Sequence, residues 1–351
     1  PVPHRDAPTA TLADTLADAA ATLGRGPRGV TTRRRTRTLA ALNVLAAVAL
    51  ASACSSDPGT STDAAQDPRA GDTASVDSGP VSATDDTGAA IELTQPATRV
   101  ACLTMICVDA LTEVGLTPVA YRDALALDER YAGPDADMRE ITGGFGEENV
   151  EDIALATPDL VIGLAGAQDG LREAVEQIAP LMLVEPRSWQ DSVEVLRTVG
   201  ELTGTSQAAD AAAEEFTARV EEAAAEPSDL TTLSMFGEPG SLGVDTVATP
   251  VGSLLDEISD YPWPAGDDPF ATVAVEQIAA EDPDVVFAQT FSAGDDTEPL
   301  ADRLAADPLW RRLSAAQSDR VVEVDAPVWA TGRGTVSLGI VLDQALAELE
   351  S

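Results

Sequence analysis

The 351-residue sequence predicts an α/β protein of two similar doubly wound lobes, each with a mostly parallel sheet, joined by one long α-helix. Three observations carry this. Glu151-Asp152-Ile153-Ala154-Leu155-Ala156-Thr157-Pro158-Asp159-Leu160-Val161-Ile162 recurs 125 residues later (276 minus 151) as Glu276-Gln277-Ile278-Ala279-Ala280-Glu281-Asp282-Pro283-Asp284-Val285-Val286-Phe287. Each copy reads as a short helix opened by an acid, stopped before a proline that cannot continue it, then an apolar strand buried on both faces. Helical and strand periods alternate on either side of both copies. Between the halves, residues 206–226 form an uninterrupted helical stretch about 30 Å long at 1.5 Å per residue.

Taken in order, folded structure starts near Ile91, with a strand at 99–103, a helix at 108–114 and a strand at 118–121. The first repeat follows, then a helix at 171–178, a strand at 181–184 and a helix at 189–202 stopped by Gly204. The helix at 206–226 opens on Ser206 as a cap, places Ala212, Phe216, Val220 and Ala224 on one face and ends at Pro227. The second half holds a strand at 232–236, a helix at 250–258, an irregular Tyr261-Pro262-Trp263-Pro264, the second repeat, a helix at 300–306, a strand at 320–324 and a helix at 336–349. The divisions are an N-terminal lobe at 89–204, a linking helix at 205–227 and a C-terminal lobe at 228–351.

Ahead of the lobes, residues 1–32 suggest no structure. At 33–53, Arg33-Arg34-Arg35-Thr36-Arg37 precedes an apolar run at 39–50 and the small residues Ala51-Ser52-Ala53 before Cys54, the pattern of a secretory signal. The cysteine makes it resemble a bacterial lipoprotein signal, with Cys54 as the lipidated first residue of the mature chain; an ordinary signal with a chance cysteine is the other reading. The general and the twin-arginine secretion routes both fit. Residues 54–88, nearly free of large apolar side chains, read as a disordered tether.

Formal charge is −39, and all 21 basic residues are arginine. Residues 1–53 hold seven arginines and three acids, leaving 14 arginines against 57 acids. Such a surface repels nucleic acid. The one histidine, His4, lies upstream of the signal, which excludes a Ser-His-Asp triad, a Cys-His pair and a histidine-ligated metal from the mature region. No Walker sequence occurs, and Gly332-x-Gly334 lacks the third glycine of a dinucleotide site. Cys102 and Cys107 are either a local disulfide or two thiols.

Ligands of doubly wound sheets lie beyond the carboxyl ends of the strands. Tyr121 and Arg122, Arg187 and Trp189, Phe236 and Glu238, and Trp329 and Arg333 follow predicted strands. Guanidinium groups in so acidic a chain suit an anionic ligand, and aromatic rings supply apolar walls.

With Arg99-Val100-Ala101-Cys102-Leu103, Asn149-Val150 before the first repeat, Asp307-Pro308-Leu309-Trp310 and Arg320-Val321-Val322 to Trp329, the chain over 89–351 resembles the substrate-binding lipoproteins of iron-siderophore, haem and vitamin B12 ABC importers. That resemblance implies the class III periplasmic-binding-protein fold: two Rossmann-like lobes, a ligand groove between them and little hinge motion. It implies a non-catalytic, monomeric receptor, lipid-anchored at the outer face of the cytoplasmic membrane, with no cofactor and no metal bound directly by the protein. The ligand would be a ferric siderophore; haem or cobalamin, and a non-transport surface or sensor lipoprotein, are the alternatives. Tyr121, Arg122, Arg187, Trp189, Phe236, Trp329 and Arg333 would line the groove. Glu151 and Glu276 would dock into arginine pockets on the permease dimer that works with its ATPase.

Overall fold

The protein is described from a computed structural model covering residues 79–122, 131, 138–266, 268–290 and 298–351. The predicted N-terminal extension, signal, Cys54 and most of the tether lie outside the described residues. The described residues include a hairpin of β1 (Val81–Thr84) and β2 (Ala90–Leu93), whose first strand and turn fall within the stretch read as tether, ahead of the expected start near Ile91. Its turn is clasped by Asp85, 5% exposed, which accepts hydrogen bonds from Thr87 N–H at 3.0 Å, Ala89 N–H at 2.9 Å and Leu183 N–H at 3.1 Å. Arg172 Nη2 pairs with the same carboxylate at 2.6 Å. Burial works against this charge, but the Thr87, Arg172 and backbone donors outweigh it and hold the carboxyl below its usual range. Low local apolar content hid the hairpin, because its anchor is polar and about a hundred residues away in sequence.

The N-terminal sheet has the order β5-β4-β3-β8-β9, all parallel: β3 (Val100–Cys102), β4 (Ala120–Tyr121), β5 (Arg139–Glu140), β8 (Leu160–Leu164) and β9 (Leu181–Val184). A short hairpin of β6 (Gly143–Gly144) and β7 (Glu147–Glu148) stands beside it. Alternate strand residues feed opposite layers: Ala101, Leu103, Val161 and Leu181 pack with Ile153 of the repeat helix, while Val100, Cys102, Ile162 and Met182 join the core that runs into the other lobe.

The C-terminal sheet has the order β12-β11-β10-β13-β14: β10 (Thr232–Glu238), β11 (Ser241–Asp245), β12 (Phe270–Val273), β13 (Val285–Thr290) and β14 (Val321–Asp325). β10, β13 and β14 pair in parallel, and β11 alone runs against its neighbours, so β12 points the same way as β10 and one reversed strand makes a mostly parallel sheet mixed. Pro239 and Gly240, at φ 93°, join β10 to β11, and a two-residue connection permits only an antiparallel return.

The duplicated stretch folds the same way twice. Its helices are Val150–Ala156 and Val275–Glu281, and each ends on a non-glycine residue in the left-handed region: Thr157 at φ 47° and Asp282 at φ 48°. The aspartate of each Pro-Asp pair then ties down the neighbouring strand: Asp159 accepts from Arg99 N–H at 2.8 Å and Asp284 from Thr231 N–H at 3.0 Å, just before β3 and β10.

The linking helix spans Ser206–Ala224, with Thr205 rather than Ser206 at the cap position, and its buried face is Ala209, Ala213, Phe216 and Val220. It packs on the helix Met105–Glu113 of one lobe, on Pro250–Ile258 of the other and on the C-terminal helix Thr335–Leu349. The lobes are also joined through carboxylates of the helix Met105–Glu113: Glu113 accepts from Thr335 Oγ1 at 3.0 Å, and Asp109 does more. Asp109, fully buried in the helix Met105–Glu113, caps the C-terminal helix: it accepts from Val336 N–H at 3.0 Å, Ser337 N–H at 2.9 Å and Ser337 Oγ at 2.5 Å. Burial pushes its carboxyl up to about 7 despite those donors. A Cβ on Gly334 would strike Asp109, which explains the glycine there. Cys102, at the end of β3, is disulfide-bonded to Cys107 in the same helix, with Cα atoms 5.5 Å apart.

Candidate functional site

Each lobe sets an arginine on a phenylalanine. In the N-terminal lobe, Arg122 leaves the carboxyl end of β4, and its guanidinium lies 5.4 Å from the centroid of Phe145. Phe145 occupies the tip of the β6–β7 hairpin with Gly146, whose φ of 78° a side chain would disfavour; a Cβ there would also meet the Ala167 carbonyl oxygen at 2.8 Å. Arg122 Nε stands 3.8 Å from Glu148 Oε1. Glu148 is 3% exposed, and that same oxygen accepts from Gln168 Nε2 at 2.8 Å and Gly146 N–H at 3.2 Å. Gln168 Oε1 in turn accepts from Leu164 N–H of β8 at 2.7 Å.

In the C-terminal lobe, Arg333 lies just ahead of the C-terminal helix in a left-handed conformation, φ 55°, with Nε donating to the Ala330 carbonyl at 2.8 Å. Its guanidinium lies 5.4 Å from the centroid of Phe270, which packs edge-on to Phe236 at 5.5 Å. Beside them Asp245, 4% exposed, accepts from Ser234 Oγ at 2.7 Å and Gln289 Nε2 at 2.9 Å. Burial raises the Asp245 carboxyl against the pull of Ser234, Arg333 and Gln289. Burial likewise lowers the Arg333 guanidinium, which the Asp245 charge opposes. The helix that Arg333 precedes is the one capped by Asp109, so this arginine lies next to Gly334, where the C-terminal helix meets the helix Met105–Glu113 of the N-terminal lobe.

The structure divides the residues chosen from sequence. Arg122, Phe236 and Arg333 belong to these platforms. Tyr121, Trp189 and Trp329 are core residues, 6%, 7% and 1% exposed, and supply no open wall. Tyr121 donates to Met105 Sδ at 3.6 Å, Trp189 meets Phe216 edge-on at 6.1 Å, and Trp329 stacks on Phe287 at 4.6 Å. Arg187 lies in a separate hollow of about 300 Å³, paired with Glu185 at 2.5 Å and lined also by Asp86, Asp191 and Glu194, where acids outnumber it. Large aromatics next to strand ends are more often packing than lining, and periodicity does not distinguish the two.

Phe145, Glu148, Gln168, Asp245, Phe270 and Gln289 were not among the residues chosen from sequence. A signal for two of them existed: the 125-residue offset carries Phe145 onto Phe270, six residues upstream of the paired acids. Glu151 and Glu276 are exposed in the first turns of the two repeat helices. Leu155, one turn beyond Glu151, is the large hydrophobic residue that stands out from the described surface at 62% exposure.

A guanidinium placed over an aromatic ring with a carboxylate nearby presents a directional cation, suited to planar anionic groups such as carboxylates. Among the described residues no group of three or more His, Cys, Asp or Glu side chains could hold a metal ion. No helix among them is long and apolar enough to cross a membrane.

The model of the family described as periplasmic binding protein matches residues 100–328. The chain belongs to the periplasmic binding protein family. Within it, this binding protein is 26% identical over 243 residues to the Fe(3+) dicitrate-binding periplasmic protein FecB of Escherichia coli, covering 67% of this chain and 79% of that one. It is 27% identical over 266 residues to the probable siderophore-binding lipoprotein YfiY of Bacillus subtilis, covering 70% and 80%. Among solved structures, the triscatecholate siderophore binding protein FeuA of Bacillus subtilis, complexed with ferri-bacillibactin, superposes with a TM-score of 0.65 at 17% identity, over 77% of this chain and 98% of that one. At that identity the match speaks for the fold.

Proposed function

We propose that this binding protein is an extracytoplasmic receptor that captures a ferric siderophore, an anionic iron chelate, and delivers it to an ABC permease without catalysing a reaction. The observation that carries the reading is the pair of arginine-on-phenylalanine platforms, Arg122 on Phe145 and Arg333 on Phe270, in an otherwise strongly acidic chain. They offer charge where an anionic chelate needs it, and relatives of this chain are named for binding Fe(3+) dicitrate and siderophores. Iron would arrive inside its chelate as cargo, held by the chelator's donors.

The exposed pair Glu151 and Glu276 supports docking to two permease subunits, since two matched carboxylates on two matched helices can meet two matched cations. A lipid on Cys54 would hold the receptor at the membrane. Titration of the protein with ferric citrate, a ferric catecholate, a ferric hydroxamate, haemin and cobalamin, followed by intrinsic fluorescence and native mass spectrometry, tests the reading. Saturable binding of an anionic ferric chelate is expected. Binding of haemin or cobalamin alone, or of nothing in the panel, would refute it.

A further inference from the structure

The two platforms share more than a ring and a cation. Behind each arginine lies a buried carboxylate whose oxygen accepts from a glutamine Nε2: Glu148 from Gln168 at 2.8 Å, and Asp245 from Gln289 at 2.9 Å. Duplication does not account for this. The offset of the repeat superposes Phe145 on Phe270 but sends Arg122, Glu148 and Gln168 to Val247, Val273 and Ala293. In chain order the N-terminal group runs Arg122, Phe145, Glu148, Gln168, whereas the C-terminal one runs Asp245, Phe270, Gln289, Arg333. The ring occupies an inherited position, and the other three members reach it from different elements in each lobe. Arrival at the same four-part arrangement by two routes points to a demand on the site rather than to a shared ancestor.

We infer that Glu148 and Asp245, backed by Gln168 and Gln289, are positioning residues that aim Arg122 and Arg333 at planar anionic groups on a ferric chelate; this rests on the receptor reading above. In the N-terminal lobe an unbroken chain of contacts runs from the β8 backbone to the cation. Leu164 N–H holds Gln168 Oε1 at 2.7 Å, Gln168 Nε2 holds Glu148 Oε1 at 2.8 Å, and Glu148 faces Arg122 Nε at 3.8 Å. A long side chain that would otherwise sample many rotamers is thereby tied to a strand, and affinity gains when that ordering precedes binding. In the C-terminal lobe Gln289 Nε2 reaches both Asp245 and, at 2.8 Å, Ser234 Oγ, which itself donates to Asp245, so the carboxylate is held by side chains of two strands, β10 and β13. The Asp245 charge acts on Arg333 through space, while Ala330 holds its Nε.

The test is a double-mutant cycle on the full chain, with ferric citrate as the probe and calorimetry as the readout. Glu148→Gln retains the size of the side chain and an acceptor for Gln168 but removes the charge facing Arg122. Positioning through the ion pair predicts that Glu148→Gln weakens ferric citrate binding roughly tenfold, and that the same change made on Arg122→Ala has little further effect. Asp245→Asn on Arg333→Ala forms a second cycle with the same expectation, and the Glu148 cycle stands alone if Asp245→Asn does not fold. Unchanged or tighter binding in Glu148→Gln overturns the inference, because the carboxylate would then be neutral or repulsive toward the ligand. A loss that persists undiminished without Arg122 also overturns it, since Glu148 would be acting on its own. Failure of the receptor reading looks different: the unmodified protein takes up no ferric chelate of the panel, or Arg122→Ala and Arg333→Ala bind as tightly as it does, and the inference falls with it; should a ferric catecholate bind in place of ferric citrate, the cycle is run with that chelate.

Discussion

Replacing Asp109 by asparagine should stabilise the protein at alkaline pH and leave it nearly unchanged in acid. Asp109 is 0% exposed, and burial raises its carboxyl from 3.8 to about 7. A carboxyl raised in the folded state binds its proton more tightly there than in the unfolded chain. Its contribution is therefore fully present below about 3.8, is lost as pH rises, and is gone above about 7. The difference of about 3.2 units (7 minus 3.8), at 1.36 kcal/mol per unit, corresponds to about 4 kcal/mol as an upper bound. Asparagine resembles the neutral acid: its Oδ1 can accept from the backbone of Val336 or Ser337, and its Nδ2 can donate to Ser337 Oγ. Urea denaturation of both proteins from pH 4 to pH 8 should show stabilities that coincide at pH 4 and diverge toward pH 8, the asparagine variant gaining up to about 4 kcal/mol. The opposing force is the N-terminus of the helix Thr335–Leu349, which favours a negative charge at its cap. A gap that stays flat with pH, or an asparagine variant that is the weaker one at pH 8, would show that the helix end and its three donors outweigh desolvation.

Other expectations are more local. Glu151→Ala with Glu276→Ala should leave chelate affinity unchanged and abolish stimulation of the permease's ATP hydrolysis; intact stimulation would remove the docking role. Asp85→Ala unties Leu183, Thr87, Ala89 and Arg172 at once and should cost about 2 to 4 kcal/mol, with amide exchange rising across Val81–Leu93. Because the Asp85 carboxyl is lowered, its stabilisation is present above 3.8 and fades as pH falls, so the variant and the parent should converge in acid. Removing the Cys102–Cys107 bond, which closes a loop of five residues' separation, should cost about 2 kcal/mol through the unfolded chain, read as a lower urea midpoint.

Local pattern alone specified much of this molecule. The Pro-Asp repeat, the strand Leu181–Val184 and the helix Pro250–Ile258 were legible because each is bounded by residues whose backbone chemistry leaves little choice: a proline, a left-handed cap, an apolar run of strand length. Two lobes and a linking helix followed from those elements without coordinates. Tertiary structure alone decided which side chains are packed into the core and which stand at the lobes' arginine platforms. Trp189 and Trp329 follow strands as Arg122 and Arg333 do, yet the tryptophans are buried, Trp189 against Phe216 of the linking helix and Trp329 against Phe287 of β13. The carboxylates Glu148 and Asp245 were indistinguishable among sixty acids until folding brought a glutamine to each, Gln168 from the bend after β8 and Gln289 from β13. Asp109 became a cap only when the other lobe's helix arrived on it. Burial and hydrogen-bond partners are set by residues far away in sequence, so composition and spacing, which sense only near neighbours, carry no record of them.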